Sequence, residues 1–476
     1  MENVFIFGCG NIGKCLYDRL HNVINIIGYI DNNQEKWGKD VNGIIIFSPY
    51  EAFNIAKKQD AFIIIGIVEY EDVLKQVLNE GIRKIVIWKH GFLFSYSEGS
   101  QLMPISLIDL VPYKKLNKNN LSVLFLQDKA CIRTLKIANA LKKLGADVSL
   151  AYTLAPPEQK NYIGIFDNIY SISNMKDFSD FLNKSEFDII HSSNEPDFLT
   201  VLAHSGNIPV VHDCHDLSSG YLNLQINDLI LEYAANSNSN GVIYYSEHIR
   251  NKALSEFAVS ADKTFVLENL ISEELKPSKY LKKLSESDGK THIVYEGGVI
   301  NDKKSHRYFE KIWNRIASDR IELHFYAPGD TDYFHYLETL NPHIHYEGNF
   351  SSKELSTEMT KYDVGLIYLN VTEENREYLE SCFPNKIQEY INAGLPVAVG
   401  DIQSQIDFVE SNSFGRYLDL DADILSQLKE IAEIPIEHGI LTKKGYTLES
   451  KIPALVDFYK KVIDTYKKQK TNDLAI

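Results

Sequence analysis

The chain has 476 residues, 44% of them hydrophobic, with 49 Lys and Arg against 65 Asp and Glu, a net charge of −16. That length exceeds one core and predicts roughly three domains of about 150 residues, while the acidic balance excludes a phosphate-binding surface for nucleic acid. The longest apolar runs, such as "AFIIIGIV" at 61–68, fall short of the ~20 residues that span a bilayer. With no basic-then-apolar leader before the first strand and five scattered cysteines lacking metal spacing, the expectation is a cytoplasmic protein with reduced thiols.

Residues 1–95 alternate strand and helix. Apolar runs at 3–7, 24–30, 43–47, 61–67 and 84–88 predict strands, with helical spacing near 11–21, 49–58 and 70–80. Such alternation implies a parallel sheet. The first strand runs into "VFIFGCGNIG", whose Gly8, Gly10 and Gly13 spell a turn that lets backbone approach a pyrophosphate at a helix N-terminus. Asp31 ends the second strand, where an acid would bond a ribose hydroxyl. No Tyr-x-x-x-Lys pair accompanies the turn, so the expectation is a nucleotide or nucleotide-sugar site rather than hydride transfer; a purely structural nucleotide-type fold is the competing account.

The pattern lapses over a linker at 96–120, rich in Ser, Pro, Asn and Lys, and restarts at "LSVLFLQDKACIRTLKIANALKKLGADVSLAYT". A second α/β unit is expected over 121–280 and a third over 281–448, parted by "LKKLSESDGK", with a helix and tail over 449–476. The basic stretches "PYKKLNKNN" and "YKKVIDTYKKQK" read as solvated segments or as loose docking on an anionic membrane face.

Two stretches carry chemistry. In "SCFPNKIQEYINAGLPVAVGD" (381–401) Phe-Pro breaks the chain before a helix that ends at Gly394. Lys386 in its first turn, beside free N–H groups, suits a diphosphate, and Glu389 one turn on can accept two ribose hydroxyls. An ordinary amphipathic helix start fits the same spacing. In "HDCHD" the residues His212, Asp213, His215 and Asp216 have a metal-like spacing, but side chains at a strand end alternate in direction, and no metal is expected.

From 121 to about 468 the sequence resembles the retaining GT-B glycosyltransferases of the large family four type. "FPNKIQEYINAGLPV" matches that family's signature, with "KYDVGLIYLN" and "VESNSFG" in order around it. "IVYEGGVINDKKSHRYFEKI" resembles the glycine turn and basic residues of the donor half, and "FDIIHSSNEPDFLTVLA" and "IPVVHDCHDL" resemble loops of the acceptor half. The first module resembles the nucleotide-sugar-binding domain of sugar acyltransferases through "FGCGNIGKCLYDRL" and "IIGYIDNN". The expected fold is therefore α/β: two facing Rossmann-like domains of a GT-B enzyme, preceded by a small Rossmann-like domain with a parallel sheet.

The resemblance implies transfer of a sugar from a nucleoside-diphosphate donor, UDP in preference to GDP, with retention and without a required cofactor or metal. Gly297, Gly298 and Asn385 would border the donor, Arg307 and Lys386 would neutralise its diphosphate, with Lys303 or Lys304 as lesser candidates, and Glu389 would hold the ribose. The family's first acid should fall at 381, which is Ser381, with Glu380 one place earlier. His215 would bond a donor-sugar hydroxyl. Asn194 and Glu195 would line the acceptor cleft unless Asn194 caps a helix, and Arg133 would frame the entrance or form a surface salt bridge. Front-face attack, with the leaving phosphate taking the acceptor's proton, accords with the lack of paired hydrolytic carboxylates. A glycan, lipid-linked or protein acceptor is implied, in surface polysaccharide or glycoconjugate synthesis, with peripheral membrane association as an option. The rivals are a sugar-nucleotide epimerase on the same scaffold and a non-catalytic nucleotide-sugar-binding subunit.

Overall fold

The computed structural model describes residues 3–473 except 23, 90, 97–102, 105–118, 155–163, 173, 195, 216, 218, 220–224 and 382–384. The chain packs as two compact units. One comprises Met1–Tyr245, Arg250–Val266 and Val456–Ile476, the other Ser246–Ile249 and Leu267–Leu455.

The first unit contains two sheets. Strands β1 (Asn3–Phe7), β2 (Asn25–Ile30), β3 (Asp40–Val41), β4 (Ile44–Phe47), β5 (Phe62–Ile65), β6 (Ile85–Lys89), β7 (Phe92–Tyr96) and β8 (Met103–Pro104) form one in the order 3-4-2-1-5-6-7-8. Helices Asn11–Leu20, Pro49–Gln59 and Glu71–Asn79 connect them, the second opened by a capping box of Ser48 and Glu51. The predicted parallel sheet holds for strands 4-2-1-5-6, but β3, β7 and β8 pair antiparallel. The connection after Lys89 is too short for the crossover a parallel return needs, and Gly91 turns it with φ +85°.

The second sheet comprises β9 (Ser122–Leu126), β10 (Asp147–Tyr152), β11 (Asn168–Ser171), β12 (Ile189–Ser193), β13 (Val210–Cys214), β14 (Gly241–Tyr244) and β15 (Thr264–Val266) in the order 11-10-9-12-13-14-15, all pairs parallel. The two sheets share a core. Phe92 of β7 belongs to the apolar cluster of Leu124, Leu126, Ala151 and Ile190, and its ring lies 5.7 Å from that of Phe198. Buried Arg19 bolts them further: its guanidinium donates to the carbonyls of Gly91 (3.0 Å), Ile172 (2.6 Å) and Thr153 and to Ser171 Oγ (3.1 Å). From Val456 on, the helix Leu448–Asp473 packs in this unit, with Phe458 stacked on Phe265 and the buried Tyr459 against His191.

The second unit is built on β16 (Thr291–Glu296), β17 (Ile321–Tyr326), β18 (Ile344–Tyr346), β19 (Val364–Ile367), β20 (Val397–Val399) and β21 (Gly415–Tyr417), parallel throughout in the order 18-17-16-19-20-21. Apolar clusters around Trp313 and Tyr390 contain side chains from alternate positions of these strands, so the sheet is buried on both faces. Each of the three sheets reverses strand order once beside its first strand, at β1/β5, β9/β12 and β16/β19, where open α/β sheets leave a crevice beyond the strand ends. No helix among the described residues is long and apolar enough to cross a membrane.

Candidate active-site residues

The second unit's switch point gathers the predicted donor residues. Strand β16 ends at Glu296 and the chain turns through Gly297, φ +125°, a conformation that L side chains rarely adopt. A Cβ there would lie 2.8 Å from Lys386 Nζ, and one on Gly298 would lie 2.7 Å from Arg307 Nη1. Both cations therefore lie directly over the glycine turn, Lys386 from the first turn of helix Asn385–Asn392. Neither forms an ion pair with an acid among the described residues, although Lys386 lies near enough to Glu296 to favour its charged form. Arg307 Nε donates to His306 Nε2 at 3.1 Å. Burial, then Arg307 and Lys386, push His306 down to about 4, so the unprotonated ring nitrogen accepts that bond. Asn385 Oδ1 is buried with no hydrogen-bond partner among the described residues. Lys303 and Lys304 are exposed.

Glu296, not singled out in the sequence, is only 7% exposed and hydrogen-bonds Glu389. Burial, then the neighbouring Glu389 carboxyl, raises its pKa well above the usual range, so Glu296 favours its protonated form. The backbone N–H of Glu296 donates to Tyr390 Oη at 2.9 Å, which ties the strand end to the helix that carries Glu389. Glu380 is engaged elsewhere: its carboxylate accepts the N–H groups of Gln403 (3.0 Å) and Ser404 (3.1 Å) at the start of helix Gln403–Ser411. Cys382, Phe383 and Pro384 of the signature lie outside the described residues.

The first unit's second switch point is organised around Asp213, fully buried on β13. Arg133 grips it with two bonds of 3.0 Å, and His191 Nε2 and His215 Nε2 each lie 3.1 Å from its Oδ2. Arg133 is thus a buried ion-pair partner; the surface salt bridge is not what forms. Burial raises Asp213, but Arg133 and His215 hold it well below the usual carboxylate range. Burial opposes charge on His215, yet the Asp213 carboxylate brings its pKa up to about 9. The other ring nitrogen, Nδ1, lies 3.9 Å from Cys131 Sγ. Asn194 is buried and its Oδ1 accepts the backbone N–H of His215 at 2.6 Å, so it braces the loop that presents the imidazole; helix Asp197–Ala203 begins at Pro196 without a side-chain cap. Glu195 and Asp216 lie outside the described residues. His212, on the opposite strand face, meets Thr200 Oγ1 at 3.0 Å and Asp197 at 3.6 Å. Among the described residues no three His, Cys, Asp or Glu side chains are arranged to hold a metal ion.

At the N-terminal turn a Cβ on Gly13 would strike the Gly8 carbonyl, while one on Gly10 would meet open space. Helix Asn11–Leu20 has no side-chain cap. Asp31 is already engaged, by Cys9 Sγ (2.9 Å), Asn33 N–H (2.9 Å) and Lys36 Nζ (3.0 Å).

Three family models match the chain: Glycosyltransferase Family 4 over residues 132–275, Glucosyltransferase 3-like, C-terminal domain over 299–438, and C2185-like, N-terminal over 1–88. No curated protein matches it. A glycosyltransferase from Rickettsia africae is similar in structure with a TM-score of 0.52 and 14% identity, covering 72% of this chain and 99% of its own. HepE from Anabaena, solved in complex with UDP and glucose, has a TM-score of 0.48 and 14% identity, covering 75% and 100%. The two glycosyltransferase models fall on the second and third sheets, each on less than a third of the chain, and support a GT-B glycosyltransferase.

Proposed function

We propose that the chain transfers a sugar from a nucleoside-diphosphate donor to a hydroxyl of a glycan or lipid-linked acceptor, with retention of anomeric configuration. The observation that carries this reading is the convergence of Arg307 and Lys386, neither ion-paired with an acid among the described residues, over the Gly297–Gly298 turn. Two cations and the start of helix Asn385–Asn392 give a diphosphate the charge compensation it needs as it departs. Glu389, oriented by the proton on Glu296, holds the ribose, and Asn385 Oδ1 supplies an acceptor still to be satisfied. With that charge already compensated by side chains, transfer proceeds without a bound metal. The leaving phosphate takes the proton of the acceptor hydroxyl, and His215, charged and held by Asp213 through Nε2, offers its Nδ1–H, shared with Cys131 Sγ at 3.9 Å, to a sugar hydroxyl.

Titration calorimetry of the full chain with UDP, GDP and CDP tests the donor site and names the base, UDP being expected. Release of nucleoside diphosphate only in the presence of acceptor, insensitive to chelator, tests transfer, and the anomeric configuration of the product by NMR tests retention. A second reading, a non-catalytic nucleotide-sugar-binding subunit, draws on the engagement of Glu380 as a helix cap and on Ser381 at the family's acid position. It predicts nucleotide binding without release on any acceptor.

A further inference from the structure

Cys131 terminates the loop after β9 and stands at the N-cap of helix Ile132–Lys143. Its sulfur lies 3.9 Å from His215 Nδ1, and the far nitrogen of that ring rests on Asp213 at 3.1 Å. Thr134 Oγ1 is 3.6 Å away on the other side. This is the arrangement of a nucleophile, a base and an orienting acid. Cys131 and His215 are both partly exposed, whereas Cys9, Cys15 and Cys214 are buried.

We propose that Cys131 is a modification site: a thiolate paired with the His215 imidazolium that attacks hydroperoxides and soft carbon electrophiles, and whose modification stops sugar transfer. In the peroxide step the sulfur attacks the terminal oxygen of ROOH. The S–O bond forms as the O–O bond breaks, and the departing RO⁻ takes the proton from His215 Nδ1 to leave as ROH. Sulfur is oxidised by two electrons to the sulfenic acid and the peroxide is reduced by two. The adduct replaces an ion pair with a neutral, bulkier group against His215, so the loss of transfer rests on the role given to His215 above. The thiol chemistry does not.

Burial works against the thiolate, but the bond from His215 brings the thiol down to about 6. At pH 6 an ordinary thiol near 8.5 is ionised to only about 0.3%. Half-ionisation of Cys131 offsets the lower intrinsic nucleophilicity of a more acidic thiol and leaves a net advantage of about tenfold.

The test is peptide mass spectrometry of the full chain after brief iodoacetamide treatment between pH 5 and 9, and after hydrogen peroxide with a dimedone trap. Cys131 is expected to react about tenfold faster than free glutathione at pH 6, with a midpoint near about pH 6, and His215→Gln is expected to move that midpoint above about pH 8. A midpoint in the ordinary thiol range, or a profile unchanged by H215Q, overturns the proposal. Peroxide is expected to abolish transfer in step with sulfenylation of Cys131 and to spare Cys131→Ser; full labelling with transfer intact overturns the switch. Should no donor support transfer at all, the proposed activity fails, while the alkylation profile still decides the thiolate.

Discussion

The proton on Glu296 gives the proposed donor site a pH signature. Glu296→Gln keeps the volume and hydrogen-bond donor of the neutral acid, whereas Glu296→Ala removes the donor and leaves Glu389 unbraced. A hydrogen bond to a charged group at a site only 7% exposed contributes about 1.5–3 kcal/mol, equivalent to roughly 10- to 150-fold in nucleotide affinity. Calorimetry with UDP from pH 6 to 9 should therefore show E296Q within about twofold of the parent and E296A weaker by that factor. The sign of the pH dependence is fixed by the raised pKa. Between the ordinary glutamate range and that raised value the folded chain binds more protons than the unfolded one, so stability falls as pH rises. Nucleotide affinity should fall in the same direction as Glu296 ionises against Glu389, and E296Q should be flat. If E296Q is as damaging as E296A, or if the parent binds nucleotide better at alkaline pH, Glu296 acts as a carboxylate and the protonated-acid account is wrong.

Lys386→Ala should cost about 10²–10³ in kcat, by analogy with the loss of one preorganised charge donor, and a steady-state assay showing under tenfold refutes its role at the leaving group. Glu380→Gln should cost about 1 kcal/mol in urea unfolding as a weakened helix cap and leave kcat/KM within about threefold; a large kinetic loss would return Glu380 to the sugar site. Arg19→Leu strands four acceptors between the two sheets of the first unit and should destabilise it by about 3 kcal/mol or more; a loss below about 1 kcal/mol would show the shared apolar core to be sufficient. Burial holds His212 down to about 3, so the unfolded chain binds the extra proton between there and the ordinary histidine range. Stability should drop by about 1.4 kcal/mol per pH unit below about 6.5, and His212→Asn should remove that increment from the difference between the two proteins at pH 7 and 5.

The residues proposed for the donor site could be grouped from the sequence because they are local or belong to one signature. Gly297, Gly298 and Arg307 lie within eleven positions, and Lys386 and Glu389 share a helix turn. Glu296 carried a readable signal, an acid closing an apolar strand directly before two glycines, but the glycines drew the reading past it. The first unit was less legible because its bonds are long-range. Arg133 and Asp213 are 80 residues apart, and Cys131 and His215 are 84. Arg19 resembles any polar helix residue, yet its acceptors lie 72 to 153 positions away. No spacing rule reaches such pairs; only the register of parallel strands brings them together.

One device, a parallel sheet reversing beside its first strand, recurs three times, and the charges placed at each reversal separate what the crevices can hold. At β16/β19 Arg307 and Lys386 form no ion pair with an acid among the described residues, which suits a dianionic diphosphate. At β9/β12 Asp213 engages both Arg133 and His215, so the crevice offers hydrogen-bonding groups rather than unpaired cations, which suits an uncharged sugar hydroxyl. At β1/β5 the helix N-terminus is uncapped and Gly10 is open, but Lys36 is spent on Asp31 and Lys14, in the first turn of the helix, is exposed to solvent. An anion entering there would have to draw Lys36 away from Asp31 or bind through backbone N–H groups and a solvated lysine. The first switch point should therefore bind nucleotide more weakly than the third. Calorimetry that resolved two sites with the tighter one abolished by Gly10→Val and untouched by K386A would reverse that order, and with it the argument that charge, rather than glycine spacing, marks the reacting site.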